Sequence, residues 1–425
     1  MSTIFAVSSG RPPAAIAVVR ISGPEAIAAA RALAGPLPEP RRAGLRLLRD
    51  RDAAPLDRAL ILVFPAARSA TGEDLVELHC HGGRAVVAAV ERALAAQSGC
   101  RLAEPGEFTR RALASGRIDL AEAEGLADLL SAETEAQRVA ALGAAEGWVS
   151  RAVDRWMARI AELSARIEAI LDHADEDDID GDDHVVTALL EDGRSLGREI
   201  AAVATGPSVE RLRDGVRVVI AGPPNAGKST LLNLLAERDA AIVSPIAGTT
   251  RDRIEANVAR DGVAYVLSDT AGLTSTHDLV EAMGVTRAEE AIGSADILLW
   301  LGEDGPPRED ALWIQARADL PGRSMLLPGR SMQVRQDSPQ TIADLWRLIG
   351  GAAATLLPKA DMLPLRERHR RLCNDAAQAL LHASADPVLV GECFRVARRA
   401  LAEITGRDAT QAMLDSLFAR FCIGK

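Results

Sequence analysis

Long apolar runs are missing from this chain of 425 residues. Nothing approaches the roughly 20 uninterrupted apolar residues that a bilayer requires. The segment from Met1 to Arg11 also lacks the basic-then-apolar layout of a secretory signal. A cytoplasmic protein with no membrane association is therefore expected. Cysteine is sparse: Cys80, Cys100, Cys373, Cys393 and Cys422 are odd in number and widely scattered, which fits reduced thiols rather than a disulfide framework. Aromatic residues make up 3% of the chain and Tyr265 is the sole tyrosine, so a base-stacking platform of the single-strand-binding kind is not expected. Basic residues are outnumbered by acidic ones, 49 to 60, for a net charge of −11. That balance argues against a globally basic nucleic-acid binder and leaves room only for a local basic patch, so any RNA would be held by shape and phosphate contacts.

What is present is globular in character. Hydrophobic residues at 48% and charged residues at 26% argue against global disorder and against low-complexity sequence. At about 100–200 residues per domain, the length accommodates about two to four domains. In the first 117 residues, apolar or alternating runs at 16–21, 60–64 and 75–81 interleave with helical composition at 25–33 and 85–97, predicting a small α+β domain. Farther on, Val149, Val153, Trp156, Ile160, Leu163, Ile167 and Ile170 recur at spacings of four and three, an apolar seam that predicts a long packed helix. A second helix is expected at 185–203. Strand and helix signals then alternate from Val216 to about Ile349, and helical composition returns from Leu365. The fold class is thus multidomain: an N-terminal α+β domain (1–117), an all-α helical domain in two parts (118–213 and 353–425), and an inserted α/β domain (214–352).

The inserted domain carries the strongest chemical signal. Gly222-Pro223-Pro224-Asn225-Ala226-Gly227-Lys228-Ser229 matches G-x-x-x-x-G-K-[ST] between a predicted strand at 216–221 and a predicted helix at 229–236. Glycines let backbone N–H groups turn inward to cradle phosphates, Lys228 can reach the β- and γ-phosphates, and Ser229 can ligate Mg²⁺. Two later segments fit the same reading. Gly248-Thr249-Thr250-Arg251-Asp252 offers Thr250 to complete a Mg²⁺ shell when a γ-phosphate is present. Asp269-Thr270-Ala271-Gly272 ends a strand with an acid suited to the outer Mg²⁺ shell and a glycine suited to sensing the γ-phosphate. The run from Arg253, turning at Asp261-Gly262, reads as a hairpin. In this order the pieces describe a P-loop GTPase of the switch type.

Two expected features are missing. The residue after Gly272 is Leu273, which cannot orient an attacking water as a glutamine would, so another group must do so. The guanine-reading Asn-Lys-x-Asp, expected after a strand near 325–327, is replaced there by Pro328-Gly329-Arg330-Ser331. The only asparagines are Asn225, Asn233, Asn257 and Asn374, so the motif occurs nowhere. Pro358-Lys359-Ala360-Asp361 ends in the right letter but lies beyond the expected final helix of the domain.

Throughout its length the chain resembles the tRNA modification GTPase MnmE (TrmE) family. The resemblance rests on Val19-Arg20-Ile21-Ser22-Gly23, Glu77-Leu78-His79-Cys80-His81-Gly82-Gly83, Pro105-Gly106-Glu107-Phe108-Thr109, Asp119-Leu120-Ala121-Glu122-Ala123-Glu124, the phosphate loop, and the ending Phe421-Cys422-Ile423-Gly424-Lys425. It implies an N-terminal domain that dimerises and binds 5-formyl- or 5,10-methylene-tetrahydrofolate, a helical domain, and an inserted GTPase domain. It further implies a homodimer working in a heterotetramer with the flavoprotein MnmG, which places a carboxymethylaminomethyl group on carbon 5 of the wobble uridine of certain tRNAs. Carried over by position, Arg20, Glu77, Arg117 and Lys425 would contact folate. Nucleotide contacts would come from Asn225, Ala226, Gly227, Lys228, Ser229 and Thr230, from Ser244, Pro245, Ile246, Ala247, Gly248, Thr249 and Thr250, and from Asp269, Thr270, Ala271 and Gly272. Asn225, Ser244, Ile246 and Thr249 would hold K⁺, Ser229 and Thr250 would hold Mg²⁺, and Glu281 stands at the family's water-orienting position. The base-recognition segment departs from the family pattern.

Simpler readings stand beside these. Glu77, His79 and His81 share a strand face and, with Cys80, suggest zinc, but no fourth ligand cluster is evident. From Asp172 to His184 eight of thirteen residues are acidic; aligned on Gly181, an EF-hand would have Glu176 at its first position and Thr187 where a bidentate glutamate belongs, so a solvated acidic loop is expected instead. Cys422 is either a small core residue or a functional thiol whose thiolate the Lys425 ammonium would favour. The expectation is a homodimeric, K⁺-dependent GTPase in tRNA modification, with Lys228, Thr250, Glu281 and Cys422 as its catalytic candidates. Its rivals are a non-hydrolysing nucleotide-gated scaffold and a nucleotide-independent folate-binding subunit.

Overall fold

The computed structural model describes residues 2–173, 182–236, 255–270, 281–320, 326–359, 362–384, 386–407 and, near the C-terminus, 414, 417, 418, 421 and 424; for 173, 182, 183 and 281–287 the backbone alone is described. The chain divides into two compact units, 1–127 with 402–425, and 128–401.

The first unit is built on β1 (Thr3–Val7), β2 (Ile16–Ser22), α1 (Ala26–Ala34), β3 (Gly44–Arg49), β4 (Pro55–Phe64), β5 (Leu75–His81), α2 (Arg84–Ala95), β6 (Cys100–Leu102) and α3 (Glu107–Ala114); α4 (Leu120–Ser131) contains the division between the units. The six strands form one sheet in the order β3-β4-β5-β2-β1-β6, antiparallel except for β1 with β6. Alternation along the strands sorts the two faces. Val19, Ile21, Ile61, Val63, Val76, Leu78 and Cys80 pack with Ala26, Ala30, Leu33, Val90 and Leu94 of α1 and α2. On the opposite face Ile4 and Ala6 lie with Ala103 and with Phe108 of α3. The α+β expectation holds, with β4 starting five residues earlier than its apolar run.

The second unit continues with α5 (Glu135–Ala145), α6 (Trp148–His173), α7 (Asp182–Ala204), α8 (Glu210–Asp214), β7 (Val216–Ala221), α9 (Lys228–Ala236), β8 (Glu255–Arg260), β9 (Val263–Asp269), α10 (Glu281–Ser294), β10 (Ile297–Trp300), β11 (Leu312–Gln315), β12 (Met332–Gln333), α11 (Pro339–Leu356), α12 (Glu367–Leu381) and α13 (Pro387–Ile404), the last crossing the division at its end. The seam of α6 is buried as its spacing requires: Val149, Val153, Trp156, Ile160, Leu163 and Ile167 are all at most 7% exposed. Trp156 buries its ring and satisfies its indole N–H on Glu199 of α7 at 2.8 Å. Helices α7 and α12 pack closely because Gly197 carries no side chain; a Cβ there would meet Leu380, Leu381 and the Ala377 carbonyl at 3.1–3.2 Å.

The second sheet runs β12-β11-β10-β7-β9-β8, parallel except for the edge hairpin β8–β9. Parallel strands are buried on both faces, and β7 shows it: five of its six residues are buried. One face packs Val218, Ile220, Leu299 and Ile314 with Leu231 and Leu235 of α9 and Leu345 and Ile349 of α11. The other sets Val219, Ala221 and Leu298 against Ala291 and Ile292 of α10. The connection from β10 to β11, residues 301–311, holds no helix, so the strand after β10 arrives at Leu312. This corrects the expected strand near 325–327: Leu326 and Leu327 are not in a strand. The acidic stretch at 174–181 lies outside the described residues.

Truncating the centre of the α6 seam, Ile160→Ala, should lower unfolding free energy by about 2–5 kcal/mol, read from the urea midpoint at unchanged slope. Burial pushes the thiols of Cys80 and Cys373 up to about 12, the nearby Asp57 charge adding to the effect at Cys80. At pH 8 their thiolate fraction is then about 10⁻⁴. Both should resist a thiol reagent in the native protein and react once the chain is unfolded in urea.

Candidate functional site

Strand β7 lies between β9 and β10 and delivers the phosphate loop to the carboxyl end of the sheet. The turn needs left-handed backbone at Gly222 (φ 148°), Asn225 (φ 60°) and Gly227 (φ 99°). Gly222 has a second reason to lack a side chain, since a Cβ there would come within 3.1 Å of the Gly302 nitrogen. Lys228 opens α9 and is 6% exposed. Its ammonium donates to the carbonyls of Gly222 and Pro223, both at 2.9 Å, closing the loop around the space a phosphate chain would fill. Desolvation pushes this ammonium below the usual lysine range, while the Asp269 charge opposes that shift.

Ser229 follows on α9, and its hydroxyl donates to Asp269 Oδ2 at 2.5 Å. Asp269 ends β9 and is buried, and Thr270 is pinned through its N–H and hydroxyl to the Ile220 carbonyl at 3.2 and 3.3 Å. A serine hydroxyl touching a buried carboxylate beside a phosphate loop is an all-oxygen donor set, which suits Mg²⁺. Asn225 and Thr230 are exposed, and Ala226 and Gly227 are half-buried. Ser244, Pro245, Ile246, Ala247, Gly248, Thr249, Thr250, Ala271 and Gly272 lie outside the described residues, and Glu281 is placed by backbone alone as the first residue of α10.

The segment that reaches the phosphate loop from the side is Ala316-Arg317-Ala318-Asp319, at the carboxyl end of β11. Arg317 has φ 58°, and a Cβ built on Gly227 would lie 3.6 Å from its Nε and 3.7 Å from the Ala316 Cβ. Ala318 N–H donates to the Val334 carbonyl at 3.1 Å, and Asp319 Oδ1 accepts from Gln336 N–H at 3.3 Å. Ala316–Asp319, and not Pro328–Ser331, is thus the segment that leaves a strand beside the phosphate loop. Sequence reasoning missed Asp319; the available signal was a short apolar run followed by a cation two residues before an acid. Arg330 instead stacks over Trp313, 4.4 Å from its ring centre, and donates to the Gly302 carbonyl at 2.6 Å. Lys359 follows α11 and lines a cavity with Asp261 and Gly262, whose turn is at the opposite end of β9 from Asp269.

The first unit gathers a second set. Arg20 and Glu77 are register partners on β2 and β5, and the guanidinium donates to Glu77 Oε1 at 2.9 and 3.1 Å. Glu77 also meets His79 Nε2 at 3.2 Å, and Arg20 lies 5.9 Å from the centre of the Phe108 ring. Arg117 donates to the Ala66 carbonyl at 2.8 Å. Cys422 and Lys425 lie outside the described residues, but Gly424 between them is docked: its carbonyl accepts from the Ser8 hydroxyl at 2.7 Å, and a Cβ on it would strike the Val7 carbonyl. Val7 pairs with Val19, next to Arg20, so the chain's end is held against the same strands. A zinc site is not formed here. Cys80 points into the core, His81 turns to Asp57 at 2.7 Å, and among the described residues no three His, Cys, Asp or Glu side chains are grouped to hold a metal.

Among the described residues, no helix is long and apolar enough to cross a membrane. Residues 3–117 match the family described as GTP-binding protein TrmE N-terminus, and residues 120–422 match the MnmE helical domain. Proteins named tRNA modification GTPase MnmE are similar over the whole chain. That of Erythrobacter litoralis is 51% identical over 428 residues, covering 100% of both chains. That of Rhizorhabdus wittichii is 52% identical over 429 residues, covering 100% of this chain and 96% of its own. That of Sphingopyxis alaskensis is 50% identical over 419 residues, covering 96% of this chain and 100% of its own. With both segments matched and half of all positions identical from end to end, the chain belongs to the tRNA modification GTPase MnmE family.

Proposed function

We propose that this protein hydrolyses GTP in the modification of tRNA at carbon 5 of the wobble uridine. The observation that carries the reading is the constellation Lys228, Ser229 and Asp269: a buried ammonium turned into the phosphate loop beside a serine–aspartate pair of hard oxygens. A chain that had become a passive scaffold would have no need to keep this arrangement.

In the reaction, backbone N–H groups of residues 225–230 hold the phosphates and Lys228 swings from its two loop carbonyls to their oxygens. Ser229, Asp269 and Thr250 form the Mg²⁺ side, and Asn225 with Ser244, Ile246 and Thr249 the K⁺ side. When bound, the two cations neutralise charge that develops on the transferring phosphoryl group. Glu281, at the start of α10, orients the attacking water in place of the apolar Leu273. Asp319 reads the guanine N–H edge, with Arg317 bracing the loop at Gly227. The domain assignment that goes with this reading is 1–117 for folate binding and dimerisation, 214–352 for the GTPase, and 118–213 with 353–425 for the helical domain. Arg20, Glu77, Arg117 and Lys425 hold a 5-formyl- or 5,10-methylene-tetrahydrofolate, and Cys422 serves as a functional thiol. The working assembly is a cytoplasmic homodimer joined to a flavoprotein of the MnmG type.

Purified protein should hydrolyse GTP in preference to ATP and in K⁺ in preference to Na⁺; absent or unselective turnover would sink the proposal. Glu281→Ala should reduce kcat for GTP by about 10²-fold or more with KM changed less than about threefold. Asp319→Ala should weaken GTP binding by about 10–100-fold in a fluorescent-nucleotide titration while leaving weak ATP binding unchanged, the loss expected for hydrogen bonds to a charged acceptor.

A further inference from the structure

One buried amide joins helix α5 to the root of the strand that carries the phosphate loop. Gln137 is 8% exposed and all four of its hydrogen-bonding positions are used. Its Oε1 accepts from the Glu133 and Thr134 N–H groups at 2.7 and 2.9 Å, closing a capping box with Thr134. Its Nε2 donates to the Leu212 and Arg213 carbonyls, both at 3.0 Å. The two halves have separate jobs. Capping needs only the acceptor, which glutamate supplies equally well, so the donor half is free to fasten α5 elsewhere. It fastens it to the last turn of α8, which passes through Gly215 (φ 87°) directly into β7 and the phosphate loop.

Packing around this clamp is uneven. Ala136 and Ala140 of α5 rest on the sheet's core together with Leu212. The same three residues also border a cavity of about 310 Å³, which Trp148, the Asp261–Gly262 turn, Lys359 and Met362 close from beyond. That turn is the far end of the hairpin whose β9 strand finishes at Asp269, on the Mg²⁺ side of the nucleotide site. The hairpin therefore reaches from the Ser229–Asp269 contact to the cavity beside α5, and Gln137 is fastened to Leu212 at its border.

We propose that Gln137 is a positioning residue that ties GTP hydrolysis to tRNA modification, by holding α5 to the root of β7 so that displacement of the hairpin moves the helix instead of being absorbed in the cavity. The inference rests on the GTPase reading given above. Networks of this kind carry coupling only when removal of one member separates two outputs, and Gln137→Glu does this cleanly: the cap is kept and both donors are lost. Gln137→Met, uncharged and lacking both halves, is measured alongside. The full-length proteins are assayed for kcat and KM of GTP hydrolysis in K⁺, and for modified wobble uridine in cells lacking their own copy of the enzyme. Both variants should hydrolyse GTP within about twofold of the parent while modification falls at least tenfold. The proposal is overturned if modification stays within twofold, if hydrolysis falls in parallel with it, or if only the Glu variant is impaired, which would mark a buried charge. A parent chain that does not hydrolyse GTP would refute the GTPase reading instead.

Discussion

Burial of β7 on both faces is the constraint on which the second unit depends. A parallel strand flanked by two others has no solvent to satisfy its backbone, so its neighbours, its helices and the loop at its end are all determined together. The loop leaves that strand in a conformation that side chains resist at Gly222 and Gly227, and it starts a helix whose first residue is a buried lysine. A buried ammonium is costly unless it is hydrogen-bonded. Here the two loop carbonyls satisfy it, and those bonds tie the loop to the start of α9. Asp269 is placed by the same sheet, one strand over, so the serine–aspartate contact follows from register and not from any local motif.

The first unit solves a different problem with the same means. Its sheet packs helices on one face, and charged side chains collect on the other where α3 covers the surface only in part. Arg20 and Glu77 meet there because antiparallel pairing makes them direct neighbours. The end of the chain returns to these strands through Gly424, which only glycine can occupy so close to the Val7 carbonyl. Residues from opposite ends of the sequence are thereby gathered on one sheet.

Much of this was legible in the sequence. The α6 seam was readable because a helix buries one stripe and the stripe repeats; β5 and β7 were readable because short apolar or alternating runs ended at glycine or proline. The phosphate loop was readable because its mechanism allows few residue types at fixed spacing. The segment after β11 was not. Two parallel strands are ordinarily joined by a helix, but β10 and β11 are joined by residues 301–311 without one, so Leu312–Gln315 stands well before the position where such a strand was expected. The only local mark on Ala316-Arg317-Ala318-Asp319 is a cation two residues before an acid after a short apolar run, a pattern too common to single it out.

Gln137 shows the same division more sharply. As a residue three positions after Thr134 it is an ordinary capping partner, and nothing in its neighbourhood announces the carbonyls of Leu212 and Arg213. The sequence by itself determined what depends on neighbours along the chain: periodic burial, turn chemistry, the loop that cradles phosphate, and through these the family. Only the tertiary structure decided which acid meets Ser229, which segment lies against Gly227, what Arg20 pairs with and where the second half of Gln137 goes. Those are contacts between residues tens or hundreds of positions apart, and their energies depend on register, burial and the space left between packed elements, none of which exists until the chain has folded.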